Sequence, residues 1–225
     1  MSGLLKSSIG RKFAMALSAF FLMLFLLQHF IINITSIFPD NGATFNKMSH
    51  FMGTNPAIQY LMQPILIFGV VYHFVMGFVL EYKNGKARKI SYAQNKGNAN
   101  STWMSRNMLI SGAVILAFLL LHFIDFWIPE INTKFIQGDW SGMHDKEFRY
   151  FIELQHKFAN PLRVGAYILA FVFLALHLLH GFSSAFQSIG VNNKYTRGLK
   201  TFGKLFAIII PLGFIIIAMF HYFNH

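Results

Sequence analysis

The sequence predicts an all-α protein, an integral membrane bundle of five transmembrane helices forming one domain over residues 1–225. Three observations carry that prediction. First, 55% of the 225 residues are hydrophobic, only 12% are charged and 27 are Phe, which is too apolar for a water-soluble domain of this length. Second, five runs reach the roughly 20 mostly apolar residues needed to cross a bilayer, at about 13–34, 60–82, 107–128, 162–186 and 202–223. Third, the Lys and Arg residues cluster in alternate loops.

The first run is too long for a signal-peptide core and lacks a small-residue cleavage pattern, so it is read as a span. The segment 35–59 contains Pro39, Gly42, Gly53 and Pro56, which predicts an irregular connection. Residues 83–105, rich in Asn and Gly, read as an exposed loop. Span three should end near Pro129, where Asp125 sits as a proton-handling or interfacial group. In the long polar segment 129–161, Phe148, Phe151, Ile152 and Phe158 predict an amphipathic helix over about 144–158. Gln28, Gln59 and Gln63 are polar candidates for a small-molecule pocket or for interfacial packing.

Thirteen of the nineteen basic residues, but one of the eight acids (Glu81), fall at the N-terminus, between spans two and three, and between spans four and five. The positive-inside rule puts those segments in the cytoplasm and the C-terminus outside. The net charge of +11 thus has a topological explanation, and no nucleic-acid partner is expected. The basic face also suits an acidic partner. No cysteine is present, so thiolate ligation and covalent haem attachment are excluded. No Ser-His-Asp arrangement or phosphate loop is visible.

Four histidines lie inside four different spans: His29, His73, His122 and His177. An ionisable residue at bilayer depth is costly and marks a functional site by default. At about 1.5 Å per residue, His29 and His122 share a layer about 9 Å below the outer edge. By the same rise, His73 and His177 share one about 14 Å above the cytoplasmic edge. Two facing imidazoles suit the axial positions of a low-spin haem, so two pairs predict two stacked haems between helices one to four. Spans two and four also share H-x-x-x-G-F, at His73–Phe78 and His177–Phe182. Glycine one turn below each histidine leaves a slot for a flat macrocycle, although membrane glycines also serve simply to pack helices. Near His122, Gly112 and Ala113 lie on the helix. His180, three residues from His177, is the competing ligand, or a hydrogen-bonding group for a propionate or quinone. His50, His144, His156, His221 and His225 are expected to be solvated or interfacial.

These motifs, Q-H-F at Gln28–Phe30, Y-H-F-V-M-G at Tyr72–Gly77, L-H-F at Leu121–Phe123 and L-H-L-L-H-G at Leu176–Gly181, resemble the dihaem cytochrome b membrane anchor of the succinate:quinone oxidoreductases. That family comprises the succinate dehydrogenases and fumarate reductases of the respiratory chain and tricarboxylic acid cycle. The resemblance covers the whole chain. It implies two haem b groups, held by His73 with His177 and by His29 with His122. It also implies menaquinone as substrate near the outer pair, and an iron–sulfur subunit carrying an FAD-containing flavoprotein on the cytoplasmic face of a bacterial inner membrane. The anchor would not itself act on succinate but would be the quinone-reactive subunit. Span four lacks the acid that some members use for proton handling.

The expected function is therefore electron transfer between a cytoplasmic redox enzyme and membrane quinone. Docking is expected at loops 83–105 and 187–204, with apolar contact from Trp103, Met104 and Tyr195. The rival readings are a cytochrome b subunit of a hydrogenase or formate dehydrogenase, and a haem-free transporter or membrane scaffold whose histidines relay protons.

Overall fold

The computed structural model describes residues 7–87, 107–144, 147–191 and 196–224. Helix α1 spans Ser8–Ile34, α2 Ala43–Thr54, α3 Gln63–Ala87, α4 Met108–His122, α5 Ile128–Ile131, α6 Tyr150–Phe158, α7 Pro161–Ser188 and α8 Thr196–Phe223. Five continuous helical segments, 8–37, 58–83, 108–136, 161–188 and 196–223, are long and apolar enough to cross a membrane. Their flanks expose large apolar side chains, among them Leu24 on α1, Phe68 and Val71 on α3, Ile110 and Leu120 on α4, Leu169 on α7 and Ile209 on α8. Such a surface is unfavourable in water and matched to hydrocarbon. Inside hydrocarbon, the helical ladder is what satisfies every backbone polar group.

Local chemistry starts the helices where the sequence allows. Ser7 caps α1 by accepting from Gly10 N at 2.9 Å. Asn160 caps α7, accepting from the N–H groups of Leu162 and Arg163, and Pro161 occupies the first turn, where its missing N–H costs nothing.

Span three departs from the expected end at residue 128. It runs on to Ile136 through π-helical turns at Phe123–Trp127 and Asn132–Ile136 that flank α5. Pro129 stands at the start of α5, directly after the wider π turn, and the helix continues past it. Asp125 therefore lies within the span and is buried at 2% exposure.

The connection 37–58 is more regular than expected, because α2 occupies most of it. Asp40 accepts from Thr44 N at 2.9 Å and from Gly42 N at 3.1 Å. Gly42 adopts φ +77°, and a Cβ there would strike the Phe151 ring. The predicted helix 144–158 is shorter than expected. Residues Met143–His144 and Glu147–Phe148 pair as a two-stranded hairpin, and α6 begins only at Tyr150. Its inward stripe is Phe151, Leu154 and Phe158, whereas Ile152 is exposed. That spacing of three and four residues puts the stripe on one helix face.

Helix α7 is the centre of the bundle, packed on α8, α4 and α1. Two glycines let α8 approach closely: a Cβ on Gly203 would strike Phe182 and one on Gly213 would strike Phe30. The main apolar cluster joins Phe45, Leu154, Phe158, Tyr167, Phe171, Ile210, Phe214 and Ile217. Helix α3, by contrast, buries no side chain fully within its span, because one face meets the exterior and the other lines a cleft.

Candidate functional site: two histidine layers in one cleft

Helices α1, α3, α4 and α7 surround a continuous cleft of about 2390 Å³, more than twice the roughly 1,000 Å³ at the upper end of ordinary ligand pockets. It runs from Lys12, Glu81, His180, Ser184 and Ser188 at the basic face to Gln59, Gln63, Glu130, Lys134 and Tyr150 at the opposite face. All four span histidines line it.

They meet in the two expected pairs. The rings of His73 and His177 lie 6.3 Å apart between centroids, at 65° between planes. Those of His29 and His122 lie 5.8 Å apart at 87°. Two imidazoles bound on opposite sides of one metal ion at about 2.0–2.1 Å put their centroids roughly 6.3 Å apart, once the half-width of each ring is added. The centroid separations of both pairs lie within about half an ångström of that distance. Among the described residues there is no group of three or more metal-ligating side chains.

The glycines fit the same account. Gly77, Gly112 and Gly181 line the cleft. A Cβ added to them would lie 3.7 Å from Met15 Cε, 3.7 Å from His177 Cε1 and 3.4 Å from Met108 Cε, respectively. These are ordinary contacts, unlike the close approaches at Gly203 and Gly213, so the glycines here open space instead of closing helices. Gly112 belongs to the inner layer beside His177, not to the His122 layer as its helix suggested. Ala113 is exposed.

The inner pair is held by serines. Ser18 Oγ lies 3.1 Å from His73 Nδ1, and Ser111 Oγ lies 3.1 Å from His177 Nδ1. The outer pair sits instead in an aromatic sleeve. His29 stacks on Phe25 and touches Phe214; His122 stacks on Phe118 and touches Phe126 and Tyr167. Asn33 Nδ2 donates to His29 O at 2.8 Å and lies 3.4–3.5 Å from both nitrogens of the His29 ring. His122 Nδ1 is buried with no hydrogen-bond partner among the described residues. His180 lines the cleft one turn toward the basic face from His177, and it is His177 whose ring faces His73.

Beyond His122 lies a buried ionic group. Asp125 Oδ2 accepts from Tyr167 Oη at 2.9 Å and pairs with Arg163 Nε at 3.1 Å. At the mouth away from the basic face, Glu130 bridges Lys134 and Arg149, Lys134 also donates to Gly53 O, and Arg149 continues to Glu153 at 2.8 Å. Hydrogen bonds from Arg149 to Glu153 and Glu130 outweigh burial and raise the Arg149 pKa further. Burial and the nearby Glu130 charge push the Tyr150 phenol up to about 12. Of the glutamines, Gln59 donates to Met52 O at 2.8 Å and lines the cleft with Gln63, while Gln28 is exposed and donates to Met52 Sδ at 3.4 Å.

His221 is a correction to the reading of outer histidines as solvated. It is 1% exposed, with Nε2 2.9 Å from Ser36 Oγ and with Phe151, Phe158 and Phe220 around it. His50 is half-buried against Phe148 and Tyr150, and His144 and His156 are exposed as expected. His225, Trp103, Met104, Tyr195 and most of the loop 83–105 lie outside the described residues.

Fold and cleft together define a five-helix membrane protein with paired histidines in two layers. Comparison with protein-family models, curated proteins and solved structures found no match.

Proposed function

We propose that the chain is the dihaem cytochrome b anchor of a respiratory succinate dehydrogenase or fumarate reductase. In this reading it links a cytoplasmic iron–sulfur and flavoprotein pair to membrane menaquinone. The observation that carries the proposal is the two histidine pairs brought together in one cleft, at 5.8 Å and 6.3 Å between ring centroids. His73 with His177, and His29 with His122, would hold two haem b groups. Bound there, haem b supplies one-electron carriage across the bilayer.

The protein's own contribution is ligation, spacing and exclusion of water. Two histidines per group would ligate the iron from both sides and would leave no open site for oxygen activation. Gly77, Gly112 and Gly181 leave room for a flat ring. Phe25, Phe118, Phe126 and Phe214 keep the outer layer apolar. Gln59, Gln63 and Trp127 line the cleft near that layer and favour it as the quinone end. The excess of Lys and Arg at the other face supports a cytoplasmic orientation there and a docked electron-transfer partner. Exposed ion pairs contribute only about 0–1 kcal/mol each, so apolar contact must supply most of the affinity.

The visible spectrum and pyridine haemochrome of the protein purified from native membranes test this reading. Two haem b per chain are expected, together with co-purifying iron–sulfur and flavin subunits that interconvert succinate and fumarate. A haem-free protein, or one carrying hydrogenase or formate dehydrogenase subunits, would overturn it.

A further inference from the structure

Ser18 and Ser111 stand in equivalent places. Each lies eleven residues before the outer-layer histidine of its own span, His29 and His122 respectively. Eleven residues are just over three whole turns, so each serine shares a helix face with that histidine, about 16 Å along the axis. That displacement brings each serine level with an inner-layer histidine on the next span. Ser18 of α1 meets His73 of α3, and Ser111 of α4 meets His177 of α7, both at 3.1 Å from Nδ1.

Each hydroxyl also reaches a helix carbonyl: Ser18 Oγ donates to Met15 O at 2.8 Å and Ser111 Oγ to Met108 O at 2.9 Å. A serine hydroxyl has one hydrogen to give. With that hydrogen on the carbonyl, the oxygen can only accept from the imidazole. Nδ1 then carries the proton, and Nε2 is left as the lone-pair nitrogen. The arrangement occurs twice, once on each ring of the inner pair, and the outer pair lacks it. His122 Nδ1 is buried with no partner among the described residues, and His29 is flanked by the Asn33 amide.

We infer that Ser18 and Ser111 are positioning residues of the inner haem site, fixing the tautomer and ring orientation of His73 and His177 so that both present Nε2 to the same metal. This rests on the dihaem reading. A hydrogen bond given up from Nδ1–H makes a ligating imidazole a stronger donor, which favours the oxidised metal and lowers its potential. Losing both serine acceptors should therefore raise the inner-haem potential and leave the outer one unchanged.

The test uses the full complex from native membranes in five forms: wild type, Ser18→Ala/Ser111→Ala, Ser18→Thr/Ser111→Thr, and the single variants His177→Ala and His122→Ala. The last two identify the inner and outer haem signals. Potentiometric titration and low-spin electron paramagnetic resonance are read alongside haem content. The double alanine variant should show a shifted inner signal and a raised inner potential, where a tenfold change in the relative stability of the two oxidation states reads as about 59 mV. The threonine variant, which keeps the hydroxyl, should restore both. Loss of the inner haem in the alanine variant, regained with threonine, supports the same assignment. Unchanged inner signals in the alanine variant, or equal changes in both haems, would overturn it while leaving the dihaem reading intact. A wild type without two haems would overturn both.

Discussion

His73 on α3 and His177 on α7 face each other across the cleft at 6.3 Å between ring centroids, although 104 positions separate them in the sequence. His180, which shares the helix face, lines the same cleft nearer its basic mouth. The consequence is a sharp difference between neighbouring variants. His177→Ala should remove one haem and its low-spin resonance, whereas His180→Ala should retain both. Haem-to-protein ratios for the two variants check this, and loss confined to the His180 variant would reverse the ligand assignment.

Asp125 is buried and held by Tyr167 and Arg163. Tyr167→Phe removes one donor and leaves the carboxylate its ion pair. Asp125→Ala leaves the Tyr167 hydroxyl and the Arg163 guanidinium without their acceptor. A buried polar group left without its partner costs about 1–3 kcal/mol. Thermal melts in detergent should therefore rank wild type above Tyr167→Phe and Tyr167→Phe above Asp125→Ala. An Asp125→Ala variant as stable as wild type would show that the triad contributes nothing to packing α4 on α7.

The glycines should separate into two kinds. Gly213→Ala forces a Cβ into the Phe30 ring, and overpacking of this sort costs about 1–3 kcal/mol. Gly112→Ala meets only His177 Cε1, at 3.7 Å, so the fold should tolerate it. Gly112→Leu, which extends into the cleft, should instead lower haem content at unchanged expression. Equal melting temperatures for Gly213→Ala and wild type would contradict the close approach of α8 to α1.

Acid should loosen the α2 cap. Hydrogen bonds from Thr44, side chain first and then backbone, hold the Asp40 carboxyl below its usual range, with a smaller contribution from Gly42. A carboxylate whose pKa is depressed by folding contributes stability that is present above its unfolded value of about 3.9 and lost as pH falls through the folded one. Protection of the Gly42 and Thr44 amides, the slowing of their exchange relative to an unstructured peptide at the same pH, should fall below about pH 4 in the wild type by this linkage. In Asp40→Ala the same amides should be weakly protected already at neutral pH, with little further change in protection on acidification.

The fold class, the five spans and the four histidines were legible in the sequence, because bilayer thickness and the cost of an intramembrane imidazole constrain residues one helix at a time. The pairing of the histidines followed from depth alone, since the helical rise fixes depth to within a turn. The Ser18–His29 and Ser111–His122 spacing was also present in the sequence. Only tertiary structure gave it meaning, because a serine in an apolar span is ordinary until it is seen 3.1 Å from an imidazole. Other features were decided wholly by packing between helices. Pro129 suggested the end of span three, but the π turns around it carry the helix on and enclose Asp125. His221 reads as a terminal, interfacial residue in the sequence and is buried because α6 and Ser36 fold over it. Gly112 lies on the helix of His122 and opens space beside His177, since which side of a helix meets which neighbour is set by the assembled bundle.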